Sequence, residues 1–318
     1  MLRLFNIDNG LLLRQLATDD THLKAQLASV NWVDMCDPED AEHSLLESLL
    51  RTDLPESDDV EEIESSARCF VDQAGLHVHS LFMYQEEGRH HTASVAFILQ
   101  AARLITIREE KLPDFRLFRL RARRGQITCR DATELLVTIL EHKVENHADY
   151  LEDIHHELEE VSHRVLEEED ADLEDAISEL ARLEDSNGKI RLCLMDTQRG
   201  ISFLLRHLRD QPEHVETLRE VMRDIEGLMS HTTFLFDKIN FLMSSTQGFI
   251  NIKQNQIIKI FSIAAVVFLP PTLVASLYGM NFQHMPELEW VFGYPWAIGL
   301  MIVAGVAPYL LFKHKGWL

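Results

Sequence analysis

The sequence of 318 residues is poor in cysteine and lacks the short motifs that hold phosphate, zinc or a catalytic nucleophile. Its four cysteines, Cys36, Cys69, Cys129 and Cys193, form no Cys-x-x-Cys pair, and a chain of this size needs no disulfides. We predict reduced, mostly buried thiols in a reducing compartment. His-Glu-x-x-His, a Walker loop and a nucleophile elbow are all absent, so we predict neither an enzyme nor a bound cofactor.

Basic residues are scarce relative to acidic ones. The chain has 30 Lys and Arg against 52 Asp and Glu, a formal net charge of -22. Residues 255–318 contain only three lysines and two glutamates, so the acidic excess lies before residue 255. A surface this acidic repels nucleic acid and attracts cations. No nucleic-acid partner is predicted.

Residues 1–125 alternate between strand and helix patterns, which predicts an α+β or α/β domain. A hairpin is predicted around Asp8-Asn9-Gly10. Pro113 is expected to begin a basic helix over 114–124 that pairs with the chain's own acids. Further strands are predicted at 67–72, 75–84, 92–99 and 103–109, and a helix at 41–51.

Residues 126–256 are predicted to form a helical stalk with acidic helices. The segment Asp153–Asp185 contains 14 acids and two bases, with apolar residues three or four apart. After Pro212 the apolar residues repeat about every 3.5 residues, and the next proline is Pro270. The uninterrupted helix would be on the order of 85 Å long. Such a helix needs neighbours along its length, most simply copies of itself.

Two uncharged runs end the chain, and each is long enough for a helix that crosses a bilayer. We predict a membrane domain at 257–318, with spans at about 257–278 and 291–312 and an external loop at about 279–290. Lysines flank both spans, whereas the loop has neither Lys nor Arg. The positive-inside rule therefore places both termini in the cytoplasm.

One face of the first span is more polar than the others. Polar side chains in a membrane helix turn toward protein or a water-filled path. Because one helix cannot enclose a pore, this face predicts an oligomer with the first span innermost. The alternative is that the hydroxyl groups bond to carbonyls of their own helix. At about 100° per residue, the face holds Asn255, Ile258, Ser262, Ala265, Leu269, Thr272 and Ser276.

Two adjacent prolines, Pro270 and Pro271, lie inside the same span. They remove backbone hydrogen bonds, so we expect the helix to bend or loosen there. The carbonyl groups that they free could face ions.

The first span is followed by Tyr278-Gly279-Met280-Asn281-Phe282 and then by Met285-Pro286-Glu287-Leu288. With these motifs, the two C-terminal spans and the long acidic stalk, the chain closely resembles the CorA family of magnesium channels over essentially its whole length. The resemblance implies a homopentameric funnel in the inner membrane. It also implies Mg²⁺ as the transported and regulatory ion, with Co²⁺ and Ni²⁺ as further candidates.

The resemblance also implies roles for individual residues. Five copies of Tyr278, Gly279, Met280 and Asn281 would form the selectivity filter, whose oxygens accept hydrogen bonds from the water shell of Mg²⁺. From their position just outside this segment, Glu287 and Glu289 are expected to attract cations in the external loop, and ordinary solvated loop acids are the alternative. Phe261 departs from the helical wheel, which prefers Ser262. The pore-lining positions carried over are Asn255, Ile258, Phe261, Ala265, Leu269 and Thr272, to which the polar face adds Ser276.

An acidic pair on the stalk, Glu220 and Asp224, occupies the stretch where family members hold regulatory divalent ions. The two residues are four apart and share one helix face. By resemblance, a metal at this pair and at an acid of the next subunit would hold the pore closed. Low cytoplasmic Mg²⁺ would then open it. Ordinary solvated acids are the alternative interpretation.

Two other functions stay open. A zinc transporter resembling the ZntB branch would have the same fold, but that branch tends to vary the middle residue of Gly-Met-Asn, so Met280 favours magnesium. A membrane-tethered coiled-coil scaffold that conducts nothing is the third hypothesis, and the polar face of the first span counts against it.

Overall fold

The computed structural model describes residues 1–15, 26, 29–38, 42–44, 47–48, 68–168, 171–281, 285–286 and 289–316. The chain divides into two compact units, Met1–Met243 and Ser244–Leu318. The division into three parts at residues 125 and 256 stays a prediction. The helix predicted at 41–51 lies mostly outside the described residues.

Within the described residues of the first unit, seven strands form one mixed sheet in the order β2-β1-β3-β7-β6-β5-β4. Neighbouring strands are antiparallel except for β3 and β7, which are parallel. The strands are β1 (Leu2–Asp8), β2 (Leu11–Gln15), β3 (Trp32–Cys36), β4 (Cys69–Val71), β5 (Leu76–Glu86), β6 (Arg89–Leu99) and β7 (Leu104–Arg108).

The predicted hairpin is confirmed. Asn9 and Gly10 have φ values of 50° and 81°, the left-handed conformation that a two-residue hairpin turn requires. The strands predicted at 67–72, 75–84, 92–99 and 103–109 are also confirmed as β4 to β7, with shifts of a few residues at their ends.

The sequence analysis missed β3, all five residues of which are buried. Trp32 belongs to the core shared with the helices, whereas Val33 and Met35 belong to a second core. A strand that is covered on both faces loses the alternation of apolar and polar residues that identifies half-exposed strands.

Between residues 109 and 207, where every residue but 169 and 170 is described, lie three helices: α1 (Pro113–Arg123), α2 (Ala132–Glu167) and α3 (Leu173–His207). Asp131 and Asp172 cap α2 and α3 by accepting hydrogen bonds from backbone N–H groups of the first turn. The helix α3 continues through Ser186-Asn187-Gly188 without a break. Asn187 is buried there and donates its side-chain amide to the carbonyl oxygen of Thr232 at 2.9 Å.

Two further helices follow: α4 (Pro212–Tyr278), of 67 residues, and α5 (Gly293–His314), of 22 residues. Each contains an apolar stretch long enough to cross a membrane. The helix α4 belongs to the first unit up to Met243 and to the second unit from Ser244.

The four cysteines are free, as predicted, and three of them are buried. The basic helix α1 pairs with acids of its own chain, as expected. Arg119 contacts Asp34 at 3.0 Å, and Arg121 contacts Glu145 at 3.5 Å.

A buried polar cluster joins α2 to β5 and α3. The ammonium group of Lys143 donates to the hydroxyl oxygens of Ser80 at 2.8 Å and Thr197 at 2.6 Å. The Nδ1 atom of His147 lies 2.5 Å from the carbonyl oxygen of Lys143. Burial, and then the charge of Lys143, lowers the pKa of His147 to about 3. His147 is therefore neutral in the folded protein at neutral pH.

We predict that His147 makes the fold sensitive to acid. An unfolded histidine has a pKa of about 6.5, so below that pH the unfolded chain binds the proton that folded His147 does not. Acidification from pH 6.5 to 5 should cost about 2 kcal/mol at this residue. The melting temperature of His147→Leu should fall less over this interval than that of the wild type. His163→Leu, at an exposed position of α2, is the control. An equal fall in His147→Leu and wild type contradicts the prediction.

Candidate functional site

The segment Tyr278-Gly279-Met280-Asn281 lies at the end of α4. The backbone N–H of Gly279 still donates to the carbonyl oxygen of Ala275 at 2.9 Å, and that of Met280 donates to Leu277 at 3.4 Å. The chain then leaves the helix at Asn281, which is exposed. Its amide and the backbone beside it are open to a ligand.

Gly279 ends the helix without the left-handed conformation that often follows a helix, since its φ is not positive. A Cβ atom at this position would lie 3.2 Å from the carbonyl oxygen of Ala275.

The apolar part of α4 has two different faces. The half-buried residues lie on one face, and the predicted filter residue Tyr278 is among them: Ile263, Ala264, Val267, Pro270, Pro271, Val274 and Tyr278. The predicted pore-lining residues are exposed in the single chain: Asn255, Ile258, Phe261, Ala265, Leu269, Thr272 and Ser276. At about 100° per residue, the centres of the two faces are about 180° apart. The structure thus brings the predicted residues together on one side of the helix.

The helix α5 covers the half-buried face of α4. A Cβ atom at Gly305 would lie 3.2 Å from Cγ of Pro271 and 3.4 Å from the carbonyl oxygen of Val267. The buried or half-buried positions of α5 share one face and are mostly small: Gly293, Ala297, Met301, Ala304, Gly305, Pro308 and Phe312. Small residues let two membrane helices approach closely.

Pro270 and Pro271 do not end α4, which continues to Tyr278. Because Pro271 has no N–H, the carbonyl oxygen of Val267 loses its partner in the helix. That oxygen lies on the side of Gly305, and so the expectation that it faces ions is wrong for Val267.

Among the hydroxyl groups of the exposed face, that of Thr272 donates to the carbonyl oxygen of Phe268 at 2.7 Å. This is the arrangement that the sequence left open as the alternative to a lumen-facing hydroxyl. A hydroxyl that donates to its own helix keeps its lone pairs available to water.

The acidic pair Glu220 and Asp224 is exposed on α4. Glu220 contacts Arg223 at 3.7 Å. Half-buried Glu141 of α2 lies near the pair. Burial, and then the charges of Glu145, Glu220 and Asp224, raises the pKa of Glu141. Sequence reasoning missed Glu141 because no pattern within α2 tells which residue of α4 it approaches.

Over the described ranges, no group of three His, Cys, Asp or Glu side chains is placed to hold a metal ion. Glu220 and Asp224 therefore have no third ligand from the described part of their own chain. Glu289 is exposed, and Glu287 lies outside the described residues. His77 and His79 are buried beside Phe70, and the Nε2 atom of His77 lies 2.9 Å from Asp72.

Comparisons with known proteins agree with this architecture. A family model described as CorA-like Mg²⁺ transporter protein matches residues 28–314. The magnesium transport protein CorA of Yersinia pseudotuberculosis serotype I is 50% identical over 320 residues, covering 100% of both chains.

Solved structures share the fold. The complete structure of the CorA magnesium transporter from Methanocaldococcus jannaschii matches with a TM-score of 0.74 and 20% identity, covering 100% of this chain and 99% of that one. The cytoplasmic domain of ZntB from Vibrio parahaemolyticus matches with a TM-score of 0.59 and 12% identity, covering 78% of this chain and 97% of that one. At these identities the likeness concerns the fold alone.

We predict that Gly305 is required for the packing of α5 on α4. Gly305→Val should lower the melting temperature of the purified protein, because the added atoms meet Pro271 and Val267, and overpacking of this kind costs about 1–3 kcal/mol. Gly299→Val is the control on the same helix, since a Cβ at Gly299 meets nothing within 4 Å. Equal melting temperatures for the two variants contradict the prediction.

Proposed function

Because the chain belongs to the CorA-like Mg²⁺ transporter family, we propose that it carries Mg²⁺ across a membrane through a pore that several copies of α4 surround. One observation carries this proposal: the face of α4 that bears the polar residues lies opposite the face that α5 covers. In an assembly with α4 innermost, that face turns to the axis and α5 lies outside it.

The pore wall combines wide polar and narrow apolar stretches. Ile258, Phe261 and Leu269 are 54%, 71% and 67% exposed in the single chain, which is unusual for large apolar side chains unless lipid or another subunit covers them. On the axis they form rings that close the pore by excluding water. Asn255 on the cytoplasmic side of these rings, and Thr272 and Ser276 on their outer side, offer oxygen atoms to hydrated ions.

The filter consists of Tyr278, Gly279, Met280 and Asn281 at the outer mouth. Magnesium dehydrates reluctantly and keeps several water molecules when it binds. The side-chain oxygen of Asn281 and nearby carbonyl oxygens accept hydrogen bonds from those waters without removing them. Neutral ligands bind the ion weakly enough to release it, whereas a ring of carboxylates would retain it. Glu287 and Glu289 raise the local concentration of cations.

The assembly that we infer is a homopentamer in the inner membrane with both termini in the cytoplasm. The number of subunits follows from the family resemblance. The orientation follows from the lysines Lys253, Lys259, Lys313 and Lys315, which flank the two spans on the same side. The membrane potential drives entry, at about 2.3 kcal/mol per charge per 100 mV.

Glu220 and Asp224 are proposed as part of a regulatory site for cytoplasmic Mg²⁺. The position of Glu141 supports this proposal, because the charges of Glu145, Glu220 and Asp224 add to the effect of burial in raising its pKa. A divalent cation between subunits relieves the repulsion and stabilises the closed state. When internal Mg²⁺ falls, the site empties and the pore opens.

Magnesium is favoured over the two other functions. The likeness to a ZntB domain is distant, whereas CorA relatives match over their full length at about half identity. A non-conducting scaffold leaves the polar face of α4 without a purpose. Co²⁺ and Ni²⁺, small hydrated divalent ions like Mg²⁺, are proposed as minor substrates.

We predict that Asn281→Ala abolishes most Mg²⁺ flux into liposomes that contain purified protein, because the filter loses its amide oxygens. Gln256→Ala is the matched control: it removes an exposed amide of α4 on the face opposite Ala265 and should leave flux unchanged. Parallel assays with Zn²⁺ and Co²⁺ establish the preferred ion. Unchanged flux in Asn281→Ala rules out this filter, and faster Zn²⁺ than Mg²⁺ flux in wild type favours the zinc transporter.

We also predict that the double variant Glu220→Gln/Asp224→Asn stays open at internal Mg²⁺ concentrations that close the wild type. Currents recorded with millimolar Mg²⁺ on the cytoplasmic side provide the measurement. Glu226→Gln/Asp237→Asn removes the same charge from exposed positions of α4 and should close normally. Wild-type currents that do not respond to internal Mg²⁺ show that the regulatory proposal is wrong.

A further inference from the structure

A cleft of about 680 Å³ lies between the β1–β2 hairpin and α1 in the first unit. Among the residues that the structure describes, no Asp or Glu lines it. A neighbouring cleft of about 400 Å³ shares three of its arginines and adds Arg108 and Lys111. This is an exception in a chain of net charge -22. The arginines of the first cleft are Arg3, Arg14, Arg116, Arg119, Arg123 and Arg124.

We call the first cleft the arginine cleft. The carboxylate of Asp34 lies at its floor. Asp34 is fully buried, and three guanidinium groups converge on it. Arg3 lies 3.4 Å and Arg119 lies 3.0 Å from Oδ2, while Arg108 contacts both oxygens. These contacts, with a hydrogen bond from Thr106, hold the pKa of Asp34 below its usual value although burial opposes them. Within the described part of the chain, Asp34 is the one carboxylate that contacts these three guanidinium groups.

Among the described residues, the guanidinium groups at the floor of the cleft outnumber the carboxylates that contact them. Burial lowers the pKa of Arg119 to about 10, and the charges of Arg3 and Arg108 act in the same direction, against Asp34. Arg108 is itself buried, and its Nε has no hydrogen-bond partner among the described residues. Arg108 lines the neighbouring cleft of about 400 Å³ and not the arginine cleft itself.

The rim adds four exposed arginines, Arg14, Arg116, Arg123 and Arg124. In the described part of the chain, none of them forms an ion pair within 4.0 Å. Arg116, Arg119 and Arg123 are spaced three and four residues apart on α1 and therefore share one face of the helix. The helix thus presents a row of guanidinium groups along the cleft.

We propose that the arginine cleft binds a small soluble anion that carries two or more phosphate groups, of the pyrophosphate and nucleoside triphosphate class. Each guanidinium group can donate two parallel hydrogen bonds to one phosphate group. A ligand with two or more phosphate groups can therefore bind several of the arginines at once, whereas a single carboxylate pairs with one. Exposed Leu11, Leu13 and Leu120 line the same cleft and give a nucleotide base an apolar surface. The acidity of the remaining chain disfavours a nucleic acid.

The test is calorimetric titration of the full-length protein, purified in detergent and freed of Mg²⁺, with pyrophosphate and separately with ATP. Wild type should bind both in a saturable manner. Arg116→Gln/Arg123→Gln, which alters exposed side chains away from Asp34, should weaken binding about ten-fold or more, because it removes two charged hydrogen-bond donors. Melting temperatures of the variants establish that they are folded.

The matched control is Arg199→Gln/Arg209→Gln, which removes two exposed arginines outside the cleft. Its affinity for pyrophosphate should equal that of wild type. Adenosine, which has no phosphate, should not bind. The proposal is overturned if wild type binds neither probe, if both double variants weaken binding equally, or if adenosine binds as tightly as ATP.

Discussion

When two helices pack together in a hydrocarbon environment, each covers only one face of the other. The uncovered faces must be compatible with the lipid, water or protein that surrounds them. In the second unit, α5 takes the face of α4 that holds the two prolines and several small residues. The remaining face includes Asn255, Thr272 and Ser276, side chains that lipid tails cannot solvate. A single chain has no further helix in its described part to cover them. The proposed self-association around water resolves this mismatch, and the proposed filter, gate and ion path all follow from it.

The first unit has a different physical constraint: it holds many charged side chains in a compact domain. Its charges are segregated among the described residues: three guanidinium groups, from β1, β7 and α1, contact Asp34, while the carboxylates of Glu145, Glu220 and Asp224 lie near Glu141. Both groupings depart from neutrality, in opposite directions. The net charge of the chain therefore does not describe the local charge around Asp34 or around Glu141. The two ligands proposed for these regions, a divalent cation and a phosphate anion, are opposite in sign for this electrostatic reason.

The elements that the sequence predicts well are those whose signal is local. Asn9-Gly10 determines a hairpin turn, and the long apolar repeat after Pro212 determines α4, because each pattern reflects backbone geometry within a few residues. The strand β3 was missed because its burial on both faces removes the alternation. The pore-lining set was predicted from periodicity and family resemblance, and the structure places its members on one exposed face. The approach of Glu141 to the stalk pair and of Gly305 to Pro271 depends on tertiary packing, which no local pattern records.

The contact between Gly305 and Pro271 also couples the evolution of two positions that are far apart in sequence. A proline frees a carbonyl, and only a residue without a side chain lets the neighbouring helix approach that carbonyl closely. If only the proline is replaced by a bulkier residue, or only the glycine is replaced, the remaining residue no longer serves the close packing of the two helices. Divergent relatives should therefore exchange the two together, so that correlated substitution at these positions reports the spacing of the two helices.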